Sequence, residues 1–341
     1  MLPKKIFVSL SITILMVLVL VGCSDIQTQT IPVSKAAKFP EKPITVIVPF
    51  AVGGGLDLTA RSLEKFAPQY LGQPLTVVNR PGGAGTIGWN ELAGANTDGY
   101  TLGITGIDML LLPLYGSVKY NYPTALSPIV QVAATPMVLA VQTNKPWQTL
   151  DELIDYAKQH PGELKFGHGG IGSFPHLLGE MFAQTAKITI DQVPFSGASE
   201  ATAALLGGHV HLSFVNPMVI REHVKNSTIK ILAVTGEQRI DDAVLSQAPT
   251  FKEQGLDITL TNWYGIAIPK ETPPAIKNKL AEGFKAMISD PEFIKNMNNI
   301  GLPIQYLGPQ ETQDKWLADS QKLTSTLEDT GILEKIKNQR K

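Results

Sequence analysis

From Pro40 onward the chain alternates short β-branched runs with helical repeats, a pattern that restricts it to sheets covered by helices. Ile44-Thr45-Val46-Ile47-Val48 lies between prolines and reads as a buried strand. Leu63, Phe66, Ala67, Tyr70 and Leu71 follow at helical spacing until Gly72 and Pro74 stop the helix. The unit repeats with a strand over 75–78, a turn at Asn79-Arg80-Pro81-Gly82-Gly83, a helix from Thr86 and a strand over 100–105. Together these predict one α/β lobe on a mostly parallel sheet. Beyond Pro136, residues 137–141 read as a strand leaving that lobe, and 150–159 as a helix capped by Thr149. A second unit of the same outline follows: a strand over 164–166, a glycine-rich loop over 167–173, and a helix carrying Leu177, Leu178, Met181 and Phe182. Residues 230–235 and 263–268 read as further strands, and 274–288 and 309–327 as helices.

The first forty residues point outward from the cytoplasm. Lys4 and Lys5 precede an uncharged apolar run over 6–21, the layout of a signal peptide, here placed at 1–22. The run is a little short of the roughly 20 apolar residues that cross a bilayer as a helix. It ends in Leu20-Val21-Gly22-Cys23, which resembles the lipobox of bacterial lipoproteins and implies lipidation of Cys23, the only cysteine in the chain. One cysteine makes no intrachain disulfide, so stability falls to the core. Residues 23–38 are polar and without period and read as a tether, reaching at most roughly 50 Å when extended. A length of 341 residues, 43% hydrophobic, suffices for two ordinary domains, and a formal net charge of -1 gives no footprint for nucleic acid.

Two glycine loops stand at helix starts: Gly53-Gly54-Gly55 and Gly170-Ile171-Gly172-Ser173. A helix N-terminus bares unpaired N–H groups and carries about half a positive charge, so an anion docks there without a lysine. Either loop alone is as easily a tight turn in which glycine only supplies unusual dihedrals. Two such loops closing on one another would grip a carboxylate from both sides.

The residues around the loops carry a resemblance. Pro49-Phe50-Ala51-Val52-Gly53-Gly54-Gly55-Leu56-Asp57, then Asn79-Arg80-Pro81-Gly82, then Asp98-Gly99-Tyr100-Thr101-Leu102 resemble the Bug family, extracytoplasmic solute receptors of tripartite tricarboxylate transporters. Gly170–Ser173 with His176-Leu177, Val193-Pro194-Phe195-Ser196-Gly197, Ala233-Val234-Thr235 and Trp263-Tyr264-Gly265 continue it in order. The resemblance implies a periplasmic-binding-protein fold of type II, with two α/β lobes around a ligand cleft. Lobe 1 is expected over 39–140 and 264–341, and lobe 2 over 141–263. It further implies a monomer that binds a small carboxylate, needs no cofactor or metal, and delivers its ligand to transporter membrane subunits. The ligand-binding residues carried over are Phe50, Gly53, Gly54 and Asp57 from one lobe, and Gly170, Gly172, Ser173, His176, Phe195 and Gly197 from the other. Asp57 reads equally well as an acid favoured by the helix dipole. Leu56, His168, Gly169 and Val215 depart from the family's usual residues, which leaves the particular acid open.

Other motifs compete less well. Gly83-Ala84-Gly85-Thr86-Ile87-Gly88 matches a dinucleotide pattern with Asp108 about 20 residues beyond, but Asn79-Arg80-Pro81 separates strand from glycines and export removes the cofactor pool. His209 and His211 would share one face of a strand, half a zinc site without the other half. Ser173 is followed by Phe174-Pro175 and lacks the setting of a hydrolase nucleophile, which disfavours an exported enzyme. A sensory receptor for a membrane signalling partner would use the same fold.

Overall fold

Apolar runs bounded by turn residues pair only where a hydrophobic face can be covered, and here they form two separate sheets. The computed structural model describes residues 38–116 and 118–341. The leader over 1–22, Cys23 and the tether through residue 37 lie outside the described residues. In chain order the first elements are β1 (Ile44–Val48), α1 (Gly55–Leu71), β2 (Leu75–Asn79), α2 (Thr86–Ala93) and β3 (Thr101–Thr105). The short α3 (Asp108–Leu111) and α4 (Tyr122–Ala125) lead to β4 (Leu126–Pro136) and β5 (Val138–Gln142). Then come α5 (Leu150–Gln159), β6 (Lys165–His168), α6 (Phe174–Ala186), β7 (Asp191–Pro194), α7 (Ala198–Leu206), β8 (Leu212–Val215), α8 (Pro217–Lys225) and β9 (Ile229–Val234). The chain ends with β10 (Thr261–Pro269), α9 (Pro274–Ile288), α10 (Pro291–Asn299), β11 (Ile304–Leu307), α11 (Pro309–Asp329) and α12 (Ile332–Gln339).

The first sheet has the order β11-β4-β10-β3-β1-β2 and the second β7-β6-β8-β5-β9. β1 runs parallel to β2 and β3, and β6 parallel to β7 and β8, as strand–helix–strand units require. The sheets are mixed rather than mostly parallel, because β10 runs antiparallel to β3 and β4, and β5 antiparallel to β8 and β9. These reversed strands adjoin the passages between lobes: β4 and β5 are separated only by Met137, and β10 returns to the first sheet. The strand over 138–142 thus belongs to the second sheet and Thr261 onward to the first, so the crossings fall a few residues before the expected boundaries at 140 and 263. Buried Thr235 joins the two crossings. Its N–H donates to Met137 O (2.9 Å), its hydroxyl donates to Leu260 O (2.6 Å), and its carbonyl accepts from Leu260 N–H (2.9 Å).

Each lobe has its own aromatic core. Trp263 on β10 stacks on Trp316 of α11 at 6.0 Å, with its indole N–H donating to Asp319 Oδ2. In the second lobe Phe182, Phe214 and Phe251 pack at 5.8 to 6.2 Å. Thr149 and Glu152 form a full capping box at α5. Among the described residues no helix is long and apolar enough to cross a membrane. The helices α1, α6, α7 and α8 each follow the carboxyl end of a parallel strand, the edge where open α/β sheets bind ligands.

Candidate functional site

Three helix starts converge between the lobes without a side chain to cap them. Gly54 precedes α1, Gly197 precedes α7 and Asn216 precedes α8, and none donates or accepts a side-chain capping bond. The first intrahelical bonds are Leu58 N–H to Gly54 O (2.9 Å) and Ala201 N–H to Gly197 O (3.2 Å). The N–H groups of residues 55–57 and 198–200 therefore have no acceptor within their helices. A cavity of about 50 Å³ lies between these termini, lined by Phe50, Gly54–Leu56, Asp108 and Asn262 from the first lobe's elements and by Gly169, Ser173, Ala198 and Asn216 from the second's. Such a volume holds a water or two rather than an organic acid, so a ligand of several heavy atoms requires the lobes to part and reclose around it. Gly169 also borders a wider hollow of about 410 Å³, which Gly82–Ala84, Phe195 and Arg340 line as the mouth of the cleft. Hollows of about 390 and 580 Å³ elsewhere, the larger lined by Thr135, Pro136 and Thr261 beside the crossings, receive no uncapped helix start.

The sequence-derived residues divide by position. Phe50, Gly54 and Ser173 line the cavity, whereas Gly170 and Phe195 border the mouth. Gly197 sits where the lobes touch: a Cβ there would lie 3.2 Å from the backbone nitrogen and the Cβ of Ala51. Asp57 does not reach the cavity. Buried to 1% exposure, its carboxylate accepts from Gly53 N–H (2.8 Å), Asn79 Nδ2 (2.9 Å) and Arg61 Nε (3.0 Å), so it braces the glycine loop from behind and consumes the Gly53 donor. The dipole reading of Asp57 is the one its partners support.

Part of the second glycine loop is occupied by the protein's own acceptors, at Gly172 and Ser173. Gly172 adopts φ +90°, a conformation glycine alone takes readily, and its N–H donates to His176 Nδ1 (3.1 Å). Ser173 N–H donates to Gly170 O, Ser173 Oγ accepts from His176 N–H (3.4 Å), and Phe174 N–H donates to Asp108 Oδ1 (2.7 Å). The start of α7, marked in the sequence only by Gly197, adds further donors on this side.

His176 is fully buried, and acceptance at Nδ1 places its proton on Nε2, 3.4 Å from Glu180 Oε1. Burial opposes ionisation of Glu180, but His176, Gln339 and Lys335 outweigh it and hold its pKa at about 2. The His168 ring lies tilted against that of His176 at 4.5 Å and bonds Gly170 O and Gln192, and burial lowers its pKa to about 3, so it is neutral. Both imidazoles shape the loop and neither faces the cavity. Leu56 and Gly169 line the cleft, whereas Val215 is buried in the second lobe's core. His209 and His211 lie in the turn before β8 rather than on a strand, where His211 Nδ1 accepts from Lys165 N–H (2.9 Å). No cluster of metal-ligating side chains occurs among the described residues.

Asp108, Asn216 and Asn262 are cavity residues that motif reading did not find. Asn216 Oδ1 accepts from the buried Tyr264 hydroxyl, which joins α8 of one lobe to β10 of the other. Asn262 Oδ1 accepts from Ile107 N–H (3.4 Å) beside Asp108. Asp108 is 4% exposed, and burial raises its pKa to about 6 against the lowering effect of the Phe174 and Asp108 backbone N–H groups.

Two α/β lobes, two crossings and helix starts aimed into the space between them define a two-lobed solute receptor. The chain matches the tripartite tricarboxylate transporter family receptor over residues 59–331 and belongs to that family. It is 34% identical to protein BugT of Bordetella pertussis over 249 residues, covering 72% of this chain and 76% of that one. Its fold is similar to that of the periplasmic binding protein BugD, with a TM-score of 0.82, 29% identity and coverage of 86% of this chain and 99% of that chain. It is also similar to R. palustris Rpa4515 with adipate, at a TM-score of 0.81 and 28% identity over 86% of this chain and 98% of that chain. The family is one of receptors, and BugD is a periplasmic binding protein.

Proposed function

We propose that this chain is an exported receptor that captures a small carboxylic acid by closing its lobes, without chemical turnover, and passes it to the membrane subunits of a tripartite tricarboxylate transporter. The observation that carries the reading is the pair of uncapped helix starts, residues 55–57 and 198–200, on opposite sides of one cleft. Oriented N–H groups suit a carboxylate, each terminus contributing up to about 2 kcal/mol when partly buried. The adipate bound to Rpa4515 supports the ligand class, and the family supports the transporter partner.

The binding residues are Phe50, Gly54, Gly55, Ser173 and Ala198 around the ligand. Gly53, Asp57, Gly170, Gly172, His176, Phe195 and Gly197 shape the loops and the mouth. Lobe 1 comprises the first sheet with its helices and lobe 2 the second, hinged at Met137, Thr235 and Leu260. The receptor acts as a monomer, anchored through lipidated Cys23 behind a signal peptide at 1–22.

A thermal-shift panel tests capture: an acid at 100 times its dissociation constant adds about 2.7 kcal/mol of stability. Stabilisation by sugars or cations with none from mono-, di- or tricarboxylates would defeat the reading. Anchoring is tested by Cys23→Ser, which is expected to move the exported protein from the membrane fraction to the soluble one. Unchanged membrane association of that variant would remove the lipid anchor.

A further inference from the structure

One carboxylate in the cleft has no cation to answer it. Asp108 lines the cavity, is 4% exposed, and spends Oδ1 on Phe174 N–H (2.7 Å) across the lobes. Among the described residues its donors are backbone N–H groups, those of Phe174 and of Asp108 itself, and Asp108 enters no ion pair. The titratable groups that face it are Tyr115 and Tyr264, phenols that burial holds in the neutral form. A buried carboxylate is normally paired, because leaving it alone in a low-dielectric site costs several kcal/mol. Here Asp108 lines the same small cavity as Gly54, Gly55 and Leu56 at the start of α1. The cavity is therefore bipolar, with donors for an anion at one wall and an anion at the other. A plain carboxylate would meet repulsion from Asp108, whereas a ligand bearing an ammonium near its carboxylate satisfies both walls.

We infer that Asp108 is a specificity-determining residue and that the cleft selects an acid carrying an ammonium group close to its carboxylate, an amino acid, over the same acid without the amine. The Asp108 carboxylate accepts the ammonium while residues 55–57 and 198–200 hold the carboxylate. Phe174, bonded to Asp108 Oδ1, carries the contact to the second lobe, so an ammonium is bound where the lobes meet. Asn262 and Asn216 supply neutral polar groups around it and compete with neither charge. The inference rests on the carboxylate reading and adds a second group to the ligand.

The test is isothermal titration calorimetry at pH 8 on the mature protein and on Asp108→Asn, with matched probes: L-alanine and propionate, L-aspartate and succinate, L-glutamate and glutarate. The inference predicts that in at least one pair the amino acid binds the wild type ten times tighter or more, and that the variant loses most of that preference. It is overturned if the des-amino acid binds as tightly in every pair that binds, in which case carboxylate capture stands and the role of Asp108 falls. It is also overturned if Asp108→Asn keeps the full preference. Failure of every probe overturns this inference and leaves the carboxylate reading to the thermal-shift panel. The wild-type pairs decide the ligand class even if the variant does not fold.

Discussion

Asp108→Asn separates the cost of a buried charge from the contact it makes. The folded protein raises the Asp108 pKa from 3.8 to about 6, so the ionised form is disfavoured in the native state relative to the unfolded chain. A group with a raised folded pKa contributes its full stability below the unfolded value and loses it as pH rises through the folded one. A shift of about two units corresponds to roughly 3 kcal/mol, lost between about pH 4 and just above pH 6. Asparagine keeps an oxygen for Phe174 N–H and carries no charge, so it imitates the protonated acid at every pH. The variant is expected to melt close to the wild type at pH 4 and to exceed it by roughly 3 kcal/mol at pH 8. At about 2 °C per kcal/mol for a chain of this size, the gap is on the order of 6 °C. Thermal melts of both proteins followed by circular dichroism from pH 4 to pH 9, without ligand, measure it. A difference in melting temperature that does not change with pH, or a variant less stable at pH 8, would refute the reasoning.

Gly55→Ala should leave α1 intact, since alanine is the better helix former by up to about 1 kcal/mol, yet weaken ligand binding tenfold or more. The added Cβ would lie 2.7 Å from Asn216 Nδ2 in the opposite lobe and obstruct closure, an effect that titration calorimetry beside a circular dichroism spectrum separates from unfolding. Glu180→Ala should lower stability by about 1 to 3 kcal/mol at neutral pH, because Glu180 joins α6 to Lys335 (2.5 Å) and Gln339 (2.8 Å) of α12. Its depressed pKa means that this contribution is present above about pH 4.5 and lost as pH falls toward 2, so urea melts of the two proteins should converge in acid.

The elements that the sequence disclosed are those whose signals are local. The β-branched run at Ile44–Val48, the helix stopped by Gly72, the Thr149 cap and the helix from Pro274 each announce themselves within a few residues. The mixed sheets were not legible, because a strand's direction depends on which lobe its chain is leaving, and neither β5 nor β10 carries that in its own residues. The short edge strands β7 and β11 are only partly buried and lack a clear alternation, and α12 reads as a polar tail until it packs on α6. In the site, Gly53–Gly55 is legible as a glycine loop at a helix start because loop and helix are adjacent in the chain. At Gly172 and at Phe174 just beyond that loop, the side chains that occupy the N–H groups, His176 and Asp108, lie four and more than sixty residues away, so this occupation is not legible locally. Asp108 stands out in the sequence only at the spacing of a dinucleotide motif, and its burial in a cleft between lobes has no sequence signature.

The central claim is that backbone donors from two helix starts grip one carboxylate, and a crystal structure of the mature protein with its tightest-binding acid tests it most directly. The account predicts carboxylate oxygens within about 2.7 to 3.2 Å of N–H groups from both residues 55–57 and residues 198–200. A carboxylate held at the mouth by the Arg340 guanidinium, with those N–H groups left to solvent, would contradict it.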